Sequence, residues 1–520
     1  MSDALHAFPP VCAQTLRALA RYPSRTAFSW PGGSITYQGA TDMIGRIQKV
    51  FMRLGFAPGT RVALLSANRA DSWCAGVAAQ LARLAITWLH PLGSLDDQLF
   101  QIEDSDAEML IVDAATFRDR GGDLATKAAG IKTVFTLGAA DYGIDLLQAI
   151  EQAGHATAHC LAGPDDIATL NYTGGTTGKS KGALRYHREY AGFAGAILAD
   201  FEIPDTPRYL TVAPISHVAG TKVLPSLMRG GTVHMLKGFD PEAVFKTIER
   251  EKINFTLFVP TMIYVLLDHP LLDKTDLTSL ELLLYGASAM SPSRLVEGIE
   301  RIGPVFSQLY GQTESYPVSV LRKADHDPKR PELFLSCGFP VAVCDVKILD
   351  DSDEEVAAGE PGEICVRAPH VMAEYWKRPD TTAETLKNGW LHTGDIARAD
   401  ERGYMYILDR KKDMIVSGGF NIFPREIEDV LSQHADVAMV AVVGVPDEKW
   451  GEAVTAVIVA RDGARPDADE LINLVKVKKG SAHAPKQIRF VKQLPMTGVG
   501  KVDKKVLKAN FWAGRERMVG

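Results

Sequence analysis

Residues 172–182 read Tyr-Thr-Gly-Gly-Thr-Thr-Gly-Lys-Ser-Lys-Gly and follow the apolar run Ile167–Leu170, which predicts a buried strand that ends in this loop. Glycines let successive backbone N–H groups turn toward an anion, while hydroxyls and lysines add donors and positive charge. The composition therefore predicts a loop that binds the phosphates of a nucleotide. Taken alone, the segment is also compatible with a flexible Gly/Thr surface loop.

The spacing within this loop argues against the P-loop of an NTPase. Residues 178–180 resemble the end of that motif, but its first glycine should stand five positions before Gly178, where this chain has Thr173. Gly174 leaves three intervening residues where the motif needs four. We therefore expect a phosphate loop of another class.

The overall composition is that of a globular protein, with 46% hydrophobic and 23% charged residues in a chain of 520. This length exceeds a typical domain, so we expect at least two domains. The formal net charge of −7 argues against nucleic acid as a partner. The chain from Lys412 onward is modestly basic, which fits either a polyanionic small molecule or a solvated charged face.

The sequence carries no clear membrane or metal-binding signal. No apolar window reaches the roughly 18 residues of a membrane span, and the first residues lack the basic-then-apolar pattern of a signal peptide. The six cysteines are scattered without metal-binding spacing and are expected to be reduced packing residues. We therefore expect a cytoplasmic protein with no integral membrane segment.

The hydrophobic pattern predicts an α/β fold. Short apolar runs, at residues 61–65, 109–112, 133–137 and 255–259, alternate with amphipathic stretches of helical length. This alternation is typical of parallel sheets covered by helices, here stacked in a large N-terminal domain. From Cys344 to Leu408 the β-like segments are shorter and separated by Gly, Pro and acidic turns, which predicts a small β subdomain.

A charged run at residues 409–413 is either a solvated turn or a hinge between domains. Beyond it, the pattern predicts a compact α+β unit of helices near 424 and 468–478 and strands near 437–443, 454–459 and 487–491. We therefore predict an N-terminal domain over residues 1–411, with the β subdomain at about 340–408, and a C-terminal domain over residues 412–520.

Five further motifs follow the phosphate loop in a fixed order, at residues 310–315, 389–395, 409–412, 417–422 and 495–501. This ordered set resembles the adenylate-forming superfamily of acyl-CoA synthetases, firefly luciferase-like enzymes and peptide-synthetase adenylation domains. The resemblance covers nearly the whole chain from about residue 30. Two departures, Gly174 and Ser180 where the family usually has Ser and Pro, keep the loop flexible and imply altered ATP handling.

The resemblance implies a two-step reaction that uses ATP, Mg²⁺ and CoA. A carboxylate attacks the α-phosphate of ATP to give an acyl-adenylate and pyrophosphate, and a thiol then displaces AMP. Such steps depend on positioning and charge neutralisation more than on a protein nucleophile. The ATP-binding residues that it implies are Thr173, Gly174, Gly175, Thr176, Thr177, Gly178, Lys179, Lys181, Gly286, Ala287, Ser288, Tyr310, Gly311, Thr313, Asp395, Arg410 and Lys501.

Some of these residues have specific implied roles. Residues 173–181 would hold the β- and γ-phosphates, and Thr313 would meet the α-phosphate. Asp395 would accept hydrogen bonds from the ribose hydroxyls, a task suited to the lone pairs of a carboxylate. Tyr310 and the turn at 286–288 would frame adenine, although a core aromatic is the alternative for Tyr310.

The implied catalytic residues are Lys501, Glu314, Thr173 and His217. Lys501 follows Gly498 and Gly500 in one loop and resembles the family lysine that bridges the acyl carboxylate and the α-phosphate, where negative charge accumulates. Glu314 is the expected Mg²⁺ ligand, because this hard cation prefers oxygen atoms.

The second step has its own implied residues. Lys412 is the expected hinge about which a mobile C-terminal domain alternates between the two half-reactions. Gly418, Gly419 and Phe420 are the expected CoA-binding residues.

His217 marks the expected acyl pocket, with a buried structural histidine as the alternative. Adenylation domains for amino acids usually place an aspartate nearby to pair the α-amine, and the residues here are Ser216-His217-Val218, which disfavours amino acids. An apolar lining is consistent with an uncharged acyl tail. The expected acyl-site residues are His217, Val218, Gly220, Val259, Met262, Tyr264, Ser315 and Pro317.

The resulting prediction is an ATP-dependent acid:CoA ligase that acts on a medium-chain, aromatic or alicyclic carboxylic acid. One alternative keeps the adenylation but delivers the acyl group to a carrier-protein thiol or uses the adenylate otherwise. A second alternative is a non-catalytic ATP-binding regulator on the same fold. The expected partners are small molecules rather than nucleic acid, and a homodimer is left open.

Overall fold

The computed structural model describes residues 9–173, 180–288, 290–417, 420–447, 449–496 and 502–512. Within these ranges the chain forms four β-sheets and the helices that cover them. None of the helices described is long and apolar enough to cross a membrane. The predicted site residues 174–179, Gly418, Gly419 and Lys501 lie outside the described residues.

The first sheet has nine strands with a parallel centre and antiparallel pairs at both edges. The predicted strand at 255–259 is confirmed as Phe255–Phe258. In spatial order the strands are Phe339–Pro340, Ser315–Leu321, Phe306–Gln312, Leu282–Gly286, Phe255–Phe258, Arg208–Thr211, Thr232–Met235, Thr26–Trp30 and Gly33–Thr36.

The second sheet has eight strands and contains the strand that leads into the phosphate loop. Its order is Glu374–Tyr375, Gly182–Tyr186, Ile167–Tyr172, Ala85–Trp88, Arg61–Leu65, Ala107–Val112, Thr133–Thr136 and Ile144–Asp145. The runs predicted as strands at 61–65, 109–112 and 133–137 are confirmed. Strands Ile167–Tyr172 and Gly182–Tyr186 pair antiparallel, so a strand follows the loop where a P-loop would lead into a helix.

Helices pack between and outside these two sheets, and their starts follow from local sequence. Helix Pro241–Glu251 begins with proline, and the Asp240 carboxylate accepts a hydrogen bond from the Ala243 N–H at 2.7 Å. Trp73 of one helix packs on Phe28 of the first sheet with ring centroids 5.1 Å apart. The helices up to residue 385 are Val11–Arg21, Tyr37–Met52, Ala70–Leu81, Leu95–Asp104, Ala114–Lys127, Leu146–Ala153, His187–Ala191, Phe193–Asp200, Val223–Met228, Pro241–Glu251, Pro260–Leu267, Pro292–Ile302 and Pro379–Thr385.

The third sheet forms the small β subdomain predicted after Cys344, and its strand pairs are antiparallel. Its pairing places Asp395 directly opposite Arg410 on neighbouring strands. The strands are Asp345–Leu349, Gly362–Arg367, Trp390–Ala399, Leu386–Lys387 and Met405–Arg410.

The fourth sheet forms an α+β unit with its own apolar core, which includes Ile415, Ile427 and Val454. The predicted helices and strands of this segment are confirmed, while the exact domain boundaries stay a prediction. The strands are Ile415–Ser417, Phe420–Ile422, Val437–Asp447, Gly451–Ala460 and Gln487–Phe490, and the helices are Pro424–Leu431, Ala468–Lys479 and Lys504–Trp512.

Candidate active site

A continuous cleft of about 2450 Å³ opens at the carboxyl ends of the parallel strands. Strand ends from both large sheets contribute to it, including Thr173, Val259, Ala287 and Thr313. In open α/β sheets this edge is where ligands bind, because loops from successive strands converge there. The volume exceeds that of an ordinary small-molecule pocket, so the cleft has room for several substrates.

Asp395 is the centre of one polar cluster in the cleft. Arg410 Nε lies 2.6 Å from Asp395 Oδ1, and the Tyr310 hydroxyl donates to Oδ2 at 2.6 Å. The register between strands Trp390–Ala399 and Met405–Arg410 fixes the first contact. Tyr310, which was either a nucleotide contact or a core aromatic in the sequence analysis, therefore orients the carboxylate from within the wall of the cleft.

The described ends of the phosphate loop face each other. The Thr173 N–H donates to the Lys181 carbonyl at 2.9 Å, and the Lys181 N–H donates back to the Thr173 hydroxyl at 3.3 Å. The Lys181 ammonium lies 4.2 Å from the centroid of the Tyr375 ring. Residues 173 and 181 thus border the cleft, and their binding of phosphate stays a prediction.

Cations are crowded along this wall. The pKa of Lys412 is lowered first by burial and also by Arg410 and Lys181, against the opposing effect of Asp413 and Asp395. An anionic ligand at this wall would interact favourably with Arg410, Lys181 and Lys412, since it would offset their mutual repulsion. A polyphosphate fits this requirement.

The turn predicted to frame adenine is strained at one residue. Ala287 has a left-handed backbone with φ of 67°, and a Cβ at Gly286 would collide with the Leu309 carbonyl oxygen. Ala287 and Ser288 line the cleft, whereas Gly286 lies behind them in the strand. Strain of this kind concentrates at functional sites, where the surrounding structure holds it in place.

Glu314 is buried at the cleft wall, and one carboxylate oxygen accepts a hydrogen bond from the Tyr375 hydroxyl. The buried Arg185 guanidinium donates to the Thr313 carbonyl and has Glu314 as an electrostatic partner. Among the described residues, no three His, Cys, Asp or Glu side chains are arranged to hold a metal ion. A Mg²⁺ ion at Glu314 would therefore complete its shell with water and phosphate oxygens, as this ion usually does.

The apolar arm of the cleft contains most of the predicted acyl residues. His217, Val218, Gly220, Met262 and Tyr264 line it, together with Val259. The His217 ring packs edge-on against His90, with centroids 4.4 Å apart, and its Nδ1 lies 2.8 Å from the Ser216 hydroxyl. The sequence analysis missed His90, which follows strand Ala85–Trp88.

Two predicted acyl residues, Ser315 and Pro317, do not line the cleft. Both are buried in strand Ser315–Leu321, and Tyr316 between them lines the cleft instead. Successive side chains of a strand point to opposite faces, so the two neighbours of Tyr316 face away. The alternation of side chains along this strand could have assigned Tyr316, and not Ser315 or Pro317, to the cleft, but the sequence analysis did not use it.

Replacing His217 with alanine is expected to change acid selectivity more than ATP affinity, because its ring borders the apolar arm. Burial and the neighbouring His90 lower the His217 pKa to about 3, so the imidazole is neutral at pH 7. We expect KM for the acid to rise about tenfold, with KM for ATP changed less than twofold. A fall in melting temperature with unaltered selectivity would instead identify a structural histidine.

Buried histidines predict an acid-sensitive fold. Desolvation lowers the pKa of His90, His187, His234, His326 and His370 to about 4. In the unfolded chain they titrate near 6.5, so below that pH the unfolded state binds more protons and stability falls. Each contributes up to about 1.4 kcal/mol per pH unit between its two pKa values.

We therefore expect the melting temperature to drop between pH 7 and pH 5. His187→Phe should flatten this dependence, because both ring nitrogens of His187 lack a hydrogen-bond partner among the described residues. The exposed His155 offers the control, and His155→Phe should leave the slope unchanged. A melting temperature that is flat over this range would contradict the interpretation.

Two predicted parts of the C-terminal unit, the segment that contains Lys501 and the CoA segment at Phe420, differ in their position relative to the cleft. Met496 and Val502, on either side of the segment that contains Lys501, pair in a β-bridge and line the cleft. Phe420 is 61% exposed and does not line it. The described chain around the predicted catalytic lysine therefore borders the cleft, while the described part of the predicted CoA segment does not.

Comparison with known proteins agrees with this geometry. The AMP-binding enzyme family matches residues 16–376, and the AMP-binding enzyme C-terminal domain matches residues 426–501. A medium/long-chain fatty-acid–CoA ligase of Mycobacterium tuberculosis is 42% identical over 97% of this chain and 90% of its own. A feruloyl-CoA synthase of an Amycolatopsis species is 35% identical over 94% of this chain and 96% of its own.

Among solved structures, an amide bond synthetase from Marinactinospora thermotolerans superimposes with a TM-score of 0.90 and 32% identity. The superposition covers 97% of this chain and 100% of that one. The chain therefore belongs to the AMP-binding enzyme family, in the acyl-CoA synthetase branch of the adenylate-forming superfamily.

Proposed function

We propose that the protein is an ATP-dependent carboxylic acid:CoA ligase that forms acyl-CoA, AMP and pyrophosphate through an acyl-adenylate. The observation that carries the proposal is the single cleft, which joins the Asp395–Arg410 pair, the cation-rich wall and Glu314 to an apolar arm at His217. These features match the ribose, phosphate, metal and acyl parts of one adenylate.

In the adenylation step, the roles of the residues follow from their surroundings. Asp395, held by Tyr310 and Arg410, is proposed to accept hydrogen bonds from the ribose hydroxyls, a role that suits a carboxylate. Lys181 and Arg410 offset phosphate charge. Mg²⁺, held by Glu314, would supply further charge neutralisation for the phosphates. Lys501 is proposed to bring a compact cation to the oxygen atoms that share the developing negative charge.

The acid is proposed to be medium-chain to long-chain or aromatic. Besides Val218 and Met262, the apolar side chains that line the cleft include Val77, Trp88 and Phe193. These five side chains carry no charge to pair an amino acid amine, and they suit an uncharged chain or ring. The fatty-acid and feruloyl ligases among the relatives act on acids of these two kinds.

CoA is proposed to dock beside Phe420. In the fourth sheet Ser417 pairs with both Phe420 and Gly451, which brings Phe420 near Trp450. Phe420 and Trp450 are 61% and 36% exposed, and the ammonium groups of Lys449 and Lys486 lie 4.8 and 5.1 Å from the Trp450 ring centroid. Exposed aromatic faces beside cations suit a base that carries phosphates.

Replacing Trp450 with alanine is therefore expected to raise KM for CoA about tenfold, since base stacking contributes about 1–3 kcal/mol. KM for ATP and for the acid should not change. Trp30, which is 40% exposed at the other end of the chain, offers the control Trp30→Ala. An unchanged KM for CoA would remove this surface from the proposed site.

A second candidate is transfer of the acyl group to an amine, because a similar structure is an amide bond synthetase. Acid-dependent pyrophosphate release, measured over a panel of carboxylates with CoA, simple amines or no acceptor, separates the two. The CoA-ligase proposal requires that acyl-CoA is formed and that CoA stimulates pyrophosphate release. Formation of an amide without any thioester would overturn the CoA-ligase proposal. Absence of pyrophosphate release with every acid would favour a non-catalytic regulator.

Two broader features stay predictions. A homodimer predicts twice the monomer mass in light scattering of the purified chain, where a monomer mass would contradict it. A cytoplasmic location predicts recovery with the cytoplasmic fraction of its own cells after gentle lysis.

A further inference from the structure

A lysine is fully buried directly behind the apolar arm of the cleft. Lys222 has no exposed surface, and its Nζ contacts two hydroxyl groups, of Thr221 at 2.8 Å and of Tyr316. The rings of Tyr316 and Phe201 lie 4.4 and 5.3 Å from it. Among its described contacts there is no carboxylate.

Burying an amine in this way is costly. Desolvation lowers the Lys222 pKa well below its ordinary value, since nothing anionic offsets the loss of water. A methionine of similar shape would fill the same space without that cost. The amine is therefore explained better by a hydrogen-bonding task than by packing.

The hydrogen bonds of this cluster leave one direction open. The Thr221 hydroxyl donates to the Val218 carbonyl at 2.7 Å, so Thr221 offers Lys222 only its lone pairs. If Lys222 also donates to Tyr316, the phenolic hydrogen turns either to the second lone pair of the Thr221 hydroxyl or into the cleft that Tyr316 lines. If Tyr316 instead donates to the neutral amine, a second N–H of Lys222 is left over. Buried donors are rarely left unsatisfied, so an acceptor that enters the cleft can take the hydrogen atom that the cluster does not hold.

The cleft is where such an acceptor would arrive. Tyr316 and Thr221 line it beside His217 and Gly220, whereas Lys222 lies behind them. Of the cluster, Tyr316 is the group that presents both a ring and a hydroxyl next to the acyl arm. Lys222 thus acts through Tyr316 and is a positioning residue.

Building on the proposed ligase function, we infer that the Tyr316 hydroxyl donates a hydrogen bond to an oxygen atom in the acyl part of the acid. The preferred substrates are then acids whose chain or ring carries a carbonyl, ether or hydroxyl oxygen, and not plain hydrocarbon acids. A site built to hydrogen-bond a group rejects the analogue that lacks it, because its own polar groups are then left unpaired.

The test uses the full chain and two sets of acids. The first is a series of medium-chain oxo-acids in which the carbonyl moves one carbon at a time, compared with the parent alkanoate. The second is a pair of cinnamates, with a 4-methoxy group in one and a 4-ethyl group in the other. The readout is kcat/KM for acid-dependent pyrophosphate release. We expect one carbonyl position, or the methoxy compound, to exceed its hydrocarbon partner by about tenfold to a hundredfold.

Substitutions of Tyr316 and Lys222 test whether these residues cause the preference for oxygen-bearing acids. Tyr316→Phe, which removes one oxygen atom, should bring the ratio between the paired acids close to one, and Lys222→Met should act in the same direction. The core residue Tyr209, whose hydroxyl donates to the Ala219 carbonyl at 3.0 Å, gives the control Tyr209→Phe, with an unchanged ratio. If Lys222→Met fails to fold, Tyr316→Phe alone decides.

Two results would overturn the inference: no preference for any oxygen-bearing acid in the wild type, or a preference that persists in Tyr316→Phe. Either result would leave the ligase function intact as long as hydrocarbon acids yield acyl-CoA. Failure of every acid to release pyrophosphate would instead count against the proposed function itself.

Discussion

Replacing Lys501 with alanine is expected to lower the rate of acyl-adenylate formation about a thousandfold, while thioester formation from supplied acyl-adenylate and CoA changes little. The lysine is proposed to stabilise charge that develops only when the carboxylate attacks the α-phosphate. In the thioester step AMP leaves and no carboxylate attacks the α-phosphate. The charge that Lys501 is proposed to stabilise therefore does not develop in that step. A cation that serves one transition state should affect one half-reaction.

The measurement is pyrophosphate release for the first step and acyl-CoA formation from purified adenylate for the second. Lys492, which is exposed in the same C-terminal unit, gives a variant with the same loss of charge, and Lys492→Ala should leave both steps unchanged. An equal loss of both half-reactions in Lys501→Ala would show that the lysine supports the fold or the cleft as a whole.

The elements of the fold were predictable because their hydrophobic periods are clear. The run Arg61–Leu65 is apolar at successive positions and forms a central parallel strand, buried on both faces. After Cys344, strand Trp390–Ala399 alternates between buried and half-buried positions within an antiparallel sheet. In both cases local sequence and tertiary environment agree.

The walls of the site were harder to predict, because residues distant in sequence meet there. His90 reaches His217 only because the two large sheets stack with their strand ends at one cleft. Arg185 lies beside Thr313 for the same reason. No spacing rule within one segment connects these pairs. Their contact depends on strand order, which the sequence pattern does not determine.

The hinge at Lys412 stays a prediction. The structure shows which contacts would have to break if the C-terminal domain rotated about this residue. The residue follows strand Met405–Arg410 in a turn closed by the Asp413 N–H and the Arg410 carbonyl at 2.9 Å. Lys504 Nζ lies 2.8 Å from Glu428 within the C-terminal unit and 4.0 Å from Asp409 across the predicted boundary. Burial lowers the Lys504 pKa, but the two carboxylates outweigh it and raise the pKa, so the contact with Asp409 favours the present arrangement.

Glu314→Gln is expected to lower the rate of adenylation about a hundredfold and to raise the Mg²⁺ concentration needed for half-maximal rate. The substitution keeps the shape of the side chain but replaces an anionic oxygen ligand with a neutral one. It also removes one of the two carboxylates, Glu314 and Glu189, that act on the buried Arg185 guanidinium. The first effect concerns the metal, whereas the second concerns stability.

Tyr375→Phe separates these two effects, because it removes the hydroxyl that donates to Glu314 and leaves the carboxylate and its charge in place. Titration of pyrophosphate release with Mg²⁺ should show a large shift for Glu314→Gln and a small one for Tyr375→Phe, with melting temperatures measured beside the kinetics. A Glu314→Gln enzyme with an unchanged Mg²⁺ dependence and a lowered melting temperature would assign Glu314 to a structural pair with Arg185. A shifted Mg²⁺ dependence in a stable variant would assign it to the metal.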